Sequence, residues 1–254
     1  MSIVMQIKIA LFLLIYFTAI NAWSNSTKEI RIVTEHWPPY SYINENGEVD
    51  GMATILIKKI MKEAGLDYSI ELLSWKRAYK SAKENKDTLL YTIYKLENRE
   101  SDFQWLCPLI NTKGVKIYAL ASRNDVAINN IDDAKKYSTG VISTGWTHDY
   151  LKSEGFETTS HLDIGSSELT NIKKLLAGRI DLVVQEEDLI ELRLKKLNKT
   201  SNVLKPVFTL ISNQHKEGCM AMSLDTSKAT INRISAALLK VNSSANQLIN
   251  KENY

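Results

Sequence analysis

The chain alternates between strand-like and helix-like segments, and this alternation is the strongest constraint on its fold. In the first half, β-branched and aromatic residues mark three strands, and helical periodicity marks two helices between them. The strands are 29–34, 68–74 and 87–94, and the helices are 52–64 and 76–85. This order predicts an α/β fold in which a mostly parallel sheet carries helices on both faces.

The alternation then begins again, which predicts a second unit of the same kind. It opens with an extended run at 116–122. Strands follow at 138–143, 157–162 and 180–185, and helices at 147–154, 168–177 and 187–196. Gly65 is expected to end the first helix of the chain, and Ser167 to cap the helix at 168–177.

The rest of the chain returns to the first unit instead of building a third. It contains extended segments at 203–210 and 218–224, a helix at 227–241 and a short final helix at 245–250. A chain of this order crosses twice between its units, so we expect two lobes joined by hinge segments near 118–123 and 215–222. The expected boundaries are 23–120 and 216–254 for lobe 1, and 121–215 for lobe 2.

Residues 1–22 differ from the rest of the chain and predict a signal peptide. Lys8 precedes the apolar run IALFLLIYF, and small and polar residues then lead to a cleavage point after Ala22. The apolar run is shorter than the roughly 20 residues that span a bilayer. We expect an exported protein, located in the periplasm if the source is a bacterium with two membranes. An uncleaved N-terminal anchor is the alternative.

The charge of the chain favours no macromolecular partner. The net charge is +3, and the charged residues mix both signs, so neither nucleic acid nor a membrane surface is expected. The histidines show no metal-ligand spacing, and no nucleotide-binding or serine-hydrolase motif occurs. We therefore expect a monomer without metal or cofactor.

The two cysteines leave two possibilities open. Cys107 and Cys219 are an even number in a chain that we expect to be exported, which permits one disulfide. The alternative is a pair of buried thiols.

Arg99 is the first candidate for a binding residue. It follows the strand-like run at 87–94 within a polar segment, and ligands of open α/β sheets bind beyond the carboxyl ends of the strands. A guanidinium binds a carboxylate through two parallel hydrogen bonds, which lysine cannot reproduce. The alternative is a surface arginine that pairs with its neighbours Glu97 and Glu100.

Five segments in order resemble the bacterial extracellular solute-binding protein family 3. They are IRIVTEHWPPYSYINENGEVDG, YTIYKLENRE, TGVISTGWTHDYL, AGRIDLVVQEEDL and SANQLINKENY. The resemblance implies a two-lobed, type II periplasmic-binding-protein fold that closes around a small ligand. Many members deliver amino acids to ABC importers, so it also implies a permease and an ATPase as possible partners.

The resemblance also implies roles for particular residues. Arg99 falls on the arginine that holds the α-carboxylate of the ligand, and Glu186 on the acid that pairs with its α-ammonium. The segment Gly145, Trp146, Thr147 and His148 falls on a helix start whose backbone N–H groups face the carboxylate. Glu35 and Trp37 fall in the loop that contacts the ligand side chain.

Several residues depart from the pattern of amino-acid binders. Bulky or polar side chains stand where small hydroxyl residues are usual, and a second arginine lies near the rim of the first lobe. These further candidate binding residues are Trp75, Arg77, Tyr91, Thr92 and Tyr94. Because of these departures, the expected ligand class is wider than amino acids: a small anionic or zwitterionic molecule, with an amino-acid-like ligand as the default expectation.

Two other functions remain open at this point. The same fold hosts dehydratases of cyclic carboxylates, in which Glu186 or Glu35 would act as a general acid and Arg99 as a substrate clamp. A ligand sensor for a separate membrane kinase is the other. A binding protein without enzymatic activity is the leading expectation.

Overall fold

The computed structural model describes residues 29–143, 145–211 and 217–252, with side chains to residue 243. The predicted signal peptide therefore lies outside the described residues. The strands are β1 (Ile30–Thr34), β2 (Tyr42–Ile43), β3 (Val49–Asp50), β4 (Tyr68–Leu72), β5 (Thr88–Tyr94), β6 (Gln104–Asn111), β7 (Val115–Leu120), β8 (Thr139–Ile142), β9 (Leu162–Gly165), β10 (Leu182–Glu186), β11 (Leu204–Ile211) and β12 (Glu217–Met222). The helices are α1 (Met52–Ala64), α2 (Trp75–Glu84), α3 (Trp146–Ser153), α4 (Glu168–Leu176), α5 (Ile190–Lys195) and α6 (Lys228–Glu252), with 3₁₀ turns at Glu97–Asp102, Ile131–Lys136 and Ser201–Val203.

Two five-stranded sheets with matching strand orders form the two lobes. The first sheet has the order β4-β1-β5-β12-β6, and the second, read from its other edge, has the order β9-β8-β10-β7-β11. In each sheet, four strands run in one direction and the fourth in the order, β12 or β7, runs against them. The reversed strand is in each case the one that arrives from the other lobe. The α/β, two-lobed expectation is confirmed.

Local sequence explains the form of the main elements. All seven residues of β5 are buried, as expected for a central strand covered on both faces. Gly65 ends α1 in the left-handed conformation at φ 61°, and the Ser167 hydroxyl accepts the Thr170 N–H to cap α4. The N-terminus of α3 has no side-chain cap from Gly145, which leaves its backbone donors available for other acceptors.

The structure differs from the sequence analysis at several elements. Strand β7 pairs with β10 and β11 of the second sheet, so the outward crossing that we propose lies at 112–114 instead of near 120. Strand β6 was not predicted, and the strand expected at 157–162 lies at Leu162–Gly165. The two C-terminal helices are one continuous helix, α6, which packs along α1. The predicted return crossing falls partly on residues 212–216, outside the described residues.

The cysteines form a disulfide. Cys107 of β6 and Cys219 of β12 are bridged across neighbouring antiparallel strands, with a Cα–Cα distance of 4.7 Å. β6 leads the chain out of the first sheet and β12 brings it back, so the bridge encloses all described residues of the second sheet. The alternative of two free thiols is wrong.

Across the described part of the chain, no helix is both long and apolar enough to cross a membrane.

Candidate functional site

A cavity of about 530 Å³ lies between the two sheets. Its walls come from the loops at 35–39 and 72–74, which follow β1 and β4, and from residues 142, 145–147 and 166–169 and residues between 186 and 196 of the second lobe. Each of these segments follows the carboxyl end of a strand, where open α/β sheets place their ligands. The cavity is therefore built by both lobes.

Aromatic side chains form a wall that crosses from one lobe to the other. The ring of Tyr94 lies 5.7 Å from that of Trp37 and 5.6 Å from that of Trp146, both in edge-on geometry. Trp37 also contacts Tyr40 at 5.1 Å. All four residues are buried, and Trp37 and Trp146 line the cavity. Their contacts hold the lobes together over the base of the cleft.

Glu35 is a buried carboxyl group at the junction of the lobes. One oxygen, Oε2, accepts the backbone N–H of Trp146 at the start of α3, at 3.2 Å. The other, Oε1, has no hydrogen-bond partner among the described residues. Burial raises the pKa of Glu35 well above its usual value, although the N–H of Trp146 and the charge of Arg99 act in the opposite direction.

Arg99 is a buried cation without a carboxylate partner in the described residues. It lies in the 3₁₀ turn after β5, with its guanidinium over the rings of Trp75 at 4.9 Å and Tyr79 at 5.8 Å. Burial lowers the pKa of Arg99. Its neighbour Glu100 pairs with Lys95 instead, at 2.6 Å, so the surface ion-pair alternative does not describe this arginine. Arg99 itself does not line the cavity.

Glu186 is paired within the protein, which the sequence analysis did not foresee. Its Oε1 accepts the indole N–H of Trp37 at 2.6 Å, and its Oε2 forms a short ion pair with Arg193. Arg193 also donates to the side chain of Gln185 at 2.6 Å. The sequence feature that could have identified Arg193 is its position on the helix that follows β10, seven residues after Glu186 at the end of that strand.

Glu168, at the first position of α4, is a third carboxyl group of the cavity, and sequence reasoning missed it. Its Oε2 accepts the side-chain amide of Gln185 at 2.5 Å. Burial raises the pKa of Glu168 to about 7, and the charge of nearby Glu186 adds to the shift, whereas Arg193 opposes it. The cavity therefore holds a carboxyl group that titrates near neutral pH.

We predict that Glu168 makes stability fall as pH rises. A folded-state pKa above the unfolded value of about 4.3 means that the folded protein binds more protons between those pH values. Its contribution to the free energy of unfolding is present below about pH 4 and declines toward pH 7. Thermal unfolding at pH 5.0 and pH 7.5 should show a smaller drop in Tm for Glu168→Gln than for the wild type.

The matched control for this pH prediction is Glu191→Gln, at an exposed position on α5. It should leave the drop in Tm as large as in the wild type. An unchanged drop in Glu168→Gln would contradict the assignment of the shift to Glu168.

Of the residues expected at the site, six meet at the cavity. They are Glu35, Trp37, Gly145, Trp146, Thr147 and Glu186. Behind this wall, Trp75 lies under the guanidinium of Arg99, and Tyr94 packs against both tryptophans, with its hydroxyl 3.4 Å from Thr112 Oγ1.

The remaining expected residues lie away from the cavity wall. The hydroxyl of Tyr91 is 2.7 Å from Thr54 Oγ1 inside the first lobe. Thr92, at φ 62°, lies 3.3 Å from the Thr34 hydroxyl. His148 is partly buried, with Nδ1 3.7 Å from Asp149 Oδ1. Arg77 is exposed and borders a separate shallow groove beside Arg31 and Lys80. Among the described residues, no group of three side chains could hold a metal ion.

The model of the bacterial extracellular solute-binding proteins, family 3, matches residues 30–252. The chain belongs to this family. A comparison with curated proteins found no match.

Solved structures show the same fold at low sequence identity. An ancestral arginine-binding protein bound to arginine is 18% identical, with a TM-score of 0.64 over 85% of this chain and 93% of that one. The arginine-, lysine-, histidine-binding protein of Geobacillus stearothermophilus is 19% identical, with a TM-score of 0.61 over 86% and 91%. A histidine kinase sensor domain with similarity to periplasmic binding proteins is 19% identical, with a TM-score of 0.66 over 89% and 96%.

Proposed function

We propose that this protein is an exported solute-binding protein that captures a small amino-acid-like or anionic ligand between its lobes. The observation that carries the proposal is the cavity of about 530 Å³ at the carboxyl ends of strands from both sheets. Because both lobes contribute to its walls, a ligand there favours their closure. Uptake through an ABC permease and its ATPase is the role that family membership favours.

Arg99 and the start of α3 support a carboxylate in the ligand. A buried guanidinium without an ion-pair partner in the described residues is unfavourable, and an incoming carboxylate supplies such a partner. The first N–H of α3 already donates a hydrogen bond to the Glu35 carboxyl group. Glu35 and the side chains of Asp149 and Tyr150 in α3 also interact electrostatically with Arg99. In this closed arrangement, Glu35 occupies the place that we assign to the ligand's carboxylate.

Two hydrogen bonds between the lobes keep the cleft closed around Glu35. Trp37 of the first lobe donates to Glu186 of the second at 2.6 Å, and the hydroxyl of Tyr40 donates to Asp188 at 3.1 Å. A ligand carboxylate must therefore displace Glu35 from the N–H of Trp146. Two parallel hydrogen bonds between that carboxylate and Arg99 would be stronger than the single hydrogen bond that is lost.

A thermal-shift screen of amino acids, dicarboxylates and small peptides tests the binding function. A ligand of the folded state at 100 times its Kd adds about 2.7 kcal/mol to the free energy of unfolding, and we expect at least one class of carboxylate to raise Tm by several degrees. Methyl esters of the same compounds serve as controls and should give no shift. A screen in which esters and acids behave alike would contradict a carboxylate site.

Export is tested on the mature chain. We expect the protein in the periplasmic fraction, with an N-terminus at Trp23 after cleavage of residues 1–22. An N-terminal sequence that begins at Met1 would favour the uncleaved anchor.

Glu35 favours an enzyme as a second candidate function. A buried carboxyl with a raised pKa and a free oxygen is the kind of group that acts as a general acid. Turnover of prephenate-like cyclic acids by the purified protein, lost in Glu35→Gln, would support this activity. Binding of such acids without product would favour the binding function.

The likeness to a histidine kinase sensor domain favours a sensor as a third candidate. The partner would be a separate membrane protein. Loss of a transcriptional response to the ligand, with unchanged uptake, in a deletion strain is the expected result for a sensor.

A further inference from the structure

Glu186 already has a cationic partner of its own. Its two carboxylate oxygens accept hydrogen bonds from Arg193 and from the indole of Trp37. Glu186 and Arg193 are only 6% and 7% exposed. A buried carboxylate with a guanidinium on one oxygen and an N–H on the other is neutralised, and it offers little to a second cation.

The pair of Glu186 and Arg193 belongs to a single lobe. Glu186 ends β10, Arg193 lies in α5, and Arg193 also binds Gln185 of the same strand. Opening of the cleft therefore leaves this ion pair intact, although it breaks two contacts of the pair to the first lobe: the hydrogen bond from the Trp37 indole to Glu186 and a long contact of Arg193 to the carbonyl of Pro38 at 3.4 Å.

Glu35 differs, because its one hydrogen bond joins the two lobes and it has no ion-pair partner within its own lobe in the described residues. It depends on one hydrogen bond of 3.2 Å to the N–H of Trp146, and its other oxygen is without a partner in the described residues. Parting of the lobes breaks this bond and frees the N-terminus of α3 for another anion. Opening of the cleft thus releases Glu35 from α3 but leaves Arg193 paired with Glu186.

The other charged groups that line the cavity supply no clear partner for an ammonium group. They are Glu35 and Glu168, with Lys196 as a further cation. Each already accepts a hydrogen bond from within the protein, Glu35 from the backbone N–H of Trp146 and Glu168 from the side-chain amide of Gln185. Burial raises the pKa of both acids, which disfavours the ionised form that would pair with a ligand cation.

We propose that the cleft takes a small carboxylate that lacks an α-ammonium group. Arg99 and the start of α3 hold the carboxylate, and Arg193 already neutralises the Glu186 carboxylate to which the family resemblance assigns an amino acid's ammonium. This inference rests on the proposed binding function and narrows its ligand class from amino acids to their deaminated counterparts.

Calorimetric titration of matched ligand pairs tests the inference on the wild-type protein. Each pair differs only in the α-ammonium group: L-phenylalanine and 3-phenylpropionate, L-leucine and 4-methylpentanoate, L-glutamate and glutarate, L-arginine and 5-guanidinovalerate. In every pair that binds, we expect the deaminated member to bind about tenfold tighter or more, because the ammonium would be buried without a partner. Equal or tighter binding of the amino acid would overturn the inference and leave the binding function standing. Binding of no member of any pair would overturn both.

Variants at position 193 give a second readout. Arg193→Met keeps the bulk of the side chain but frees Glu186, so the amino acid of a pair should now bind tighter than its deaminated counterpart. Arg193→Lys keeps the cation and should keep the wild-type preference, and Arg179→Met, at an exposed position of the same lobe, serves as the matched control. A preference that is unchanged in a folded Arg193→Met protein would overturn the role of Arg193. If that variant does not fold, the wild-type pairs decide.

Discussion

Replacement of Arg99 by alanine should greatly weaken ligand binding and leave the protein folded. Removal of one partner from a buried charge pair costs about 2–5 kcal/mol, so the affinity for a carboxylate ligand should fall about 30-fold or more. The free protein loses a cation–π contact with Trp75, of about 1 kcal/mol, but it also loses a cation that is buried without an ion-pair partner in the described residues. Tm without ligand should therefore change by only a few degrees. Calorimetric titration and thermal unfolding measure the two effects separately.

Two further variants show whether this loss belongs to Arg99 itself. Arg77→Ala removes an exposed arginine of the same lobe and should change neither affinity nor Tm. Arg99→Lys keeps the positive charge but not the paired donors of the guanidinium, and it should bind with intermediate affinity. Unfolding of Arg99→Ala, or wild-type affinity in that variant, would show that Arg99 serves the fold instead of the ligand.

Removal of the disulfide should cause the largest loss of stability. Cys107 and Cys219 are 112 residues apart in the chain, and loop-closure entropy for about 100 residues corresponds to about 4.7 kcal/mol. In the double variant Cys107→Ala/Cys219→Ala, we expect Tm to fall by roughly 10 °C or more. Alanine is preferred to serine, because Cys219 is buried and a hydroxyl there would need a partner.

A reductant provides the control for the disulfide prediction. Dithiothreitol should lower the Tm of the wild type toward that of the double variant and leave the double variant unchanged. Equal Tm values for oxidised and reduced wild type would contradict the entropic contribution of the bridge.

Much of the fold was predictable because it depends on local patterns. Apolar residues repeat at helical spacing in α1 and α4, and Gly65 and Ser167 mark helix ends through backbone geometry and capping. These signals involve residues that are close in sequence, so they can be recognised without knowledge of the fold. In the sequence analysis, the run that forms β7 opens the second unit, but the predicted boundary of lobe 1 falls after it, at residue 120. The pairing of β7 with β10 and β11 is a long-range contact that no local pattern reveals.

The location of the candidate site was predictable from the sequence, but the ion pairs between its side chains were not. Glu35, Trp146 and Glu186 follow strand ends in sequence, and all three line the cavity. The partner of Glu186 is Arg193, seven residues along the chain and on the next helix, whereas sequence reasoning assigned Glu186 to a ligand's ammonium. Local spacing carries no information on which of several acceptors a buried arginine meets.

The two-lobed α/β plan follows from the order of strand and helix patterns along the chain, because alternating strands and helices can bury their apolar faces in few ways. Which charged groups of the described residues are paired becomes visible only in the folded structure. Arg99 lies on an aromatic face without a carboxylate in the described residues, and Glu186 is neutralised by Arg193. Such pairing depends on distances of a few ångströms between side chains from different elements, and those distances exist only once the lobes have folded and closed.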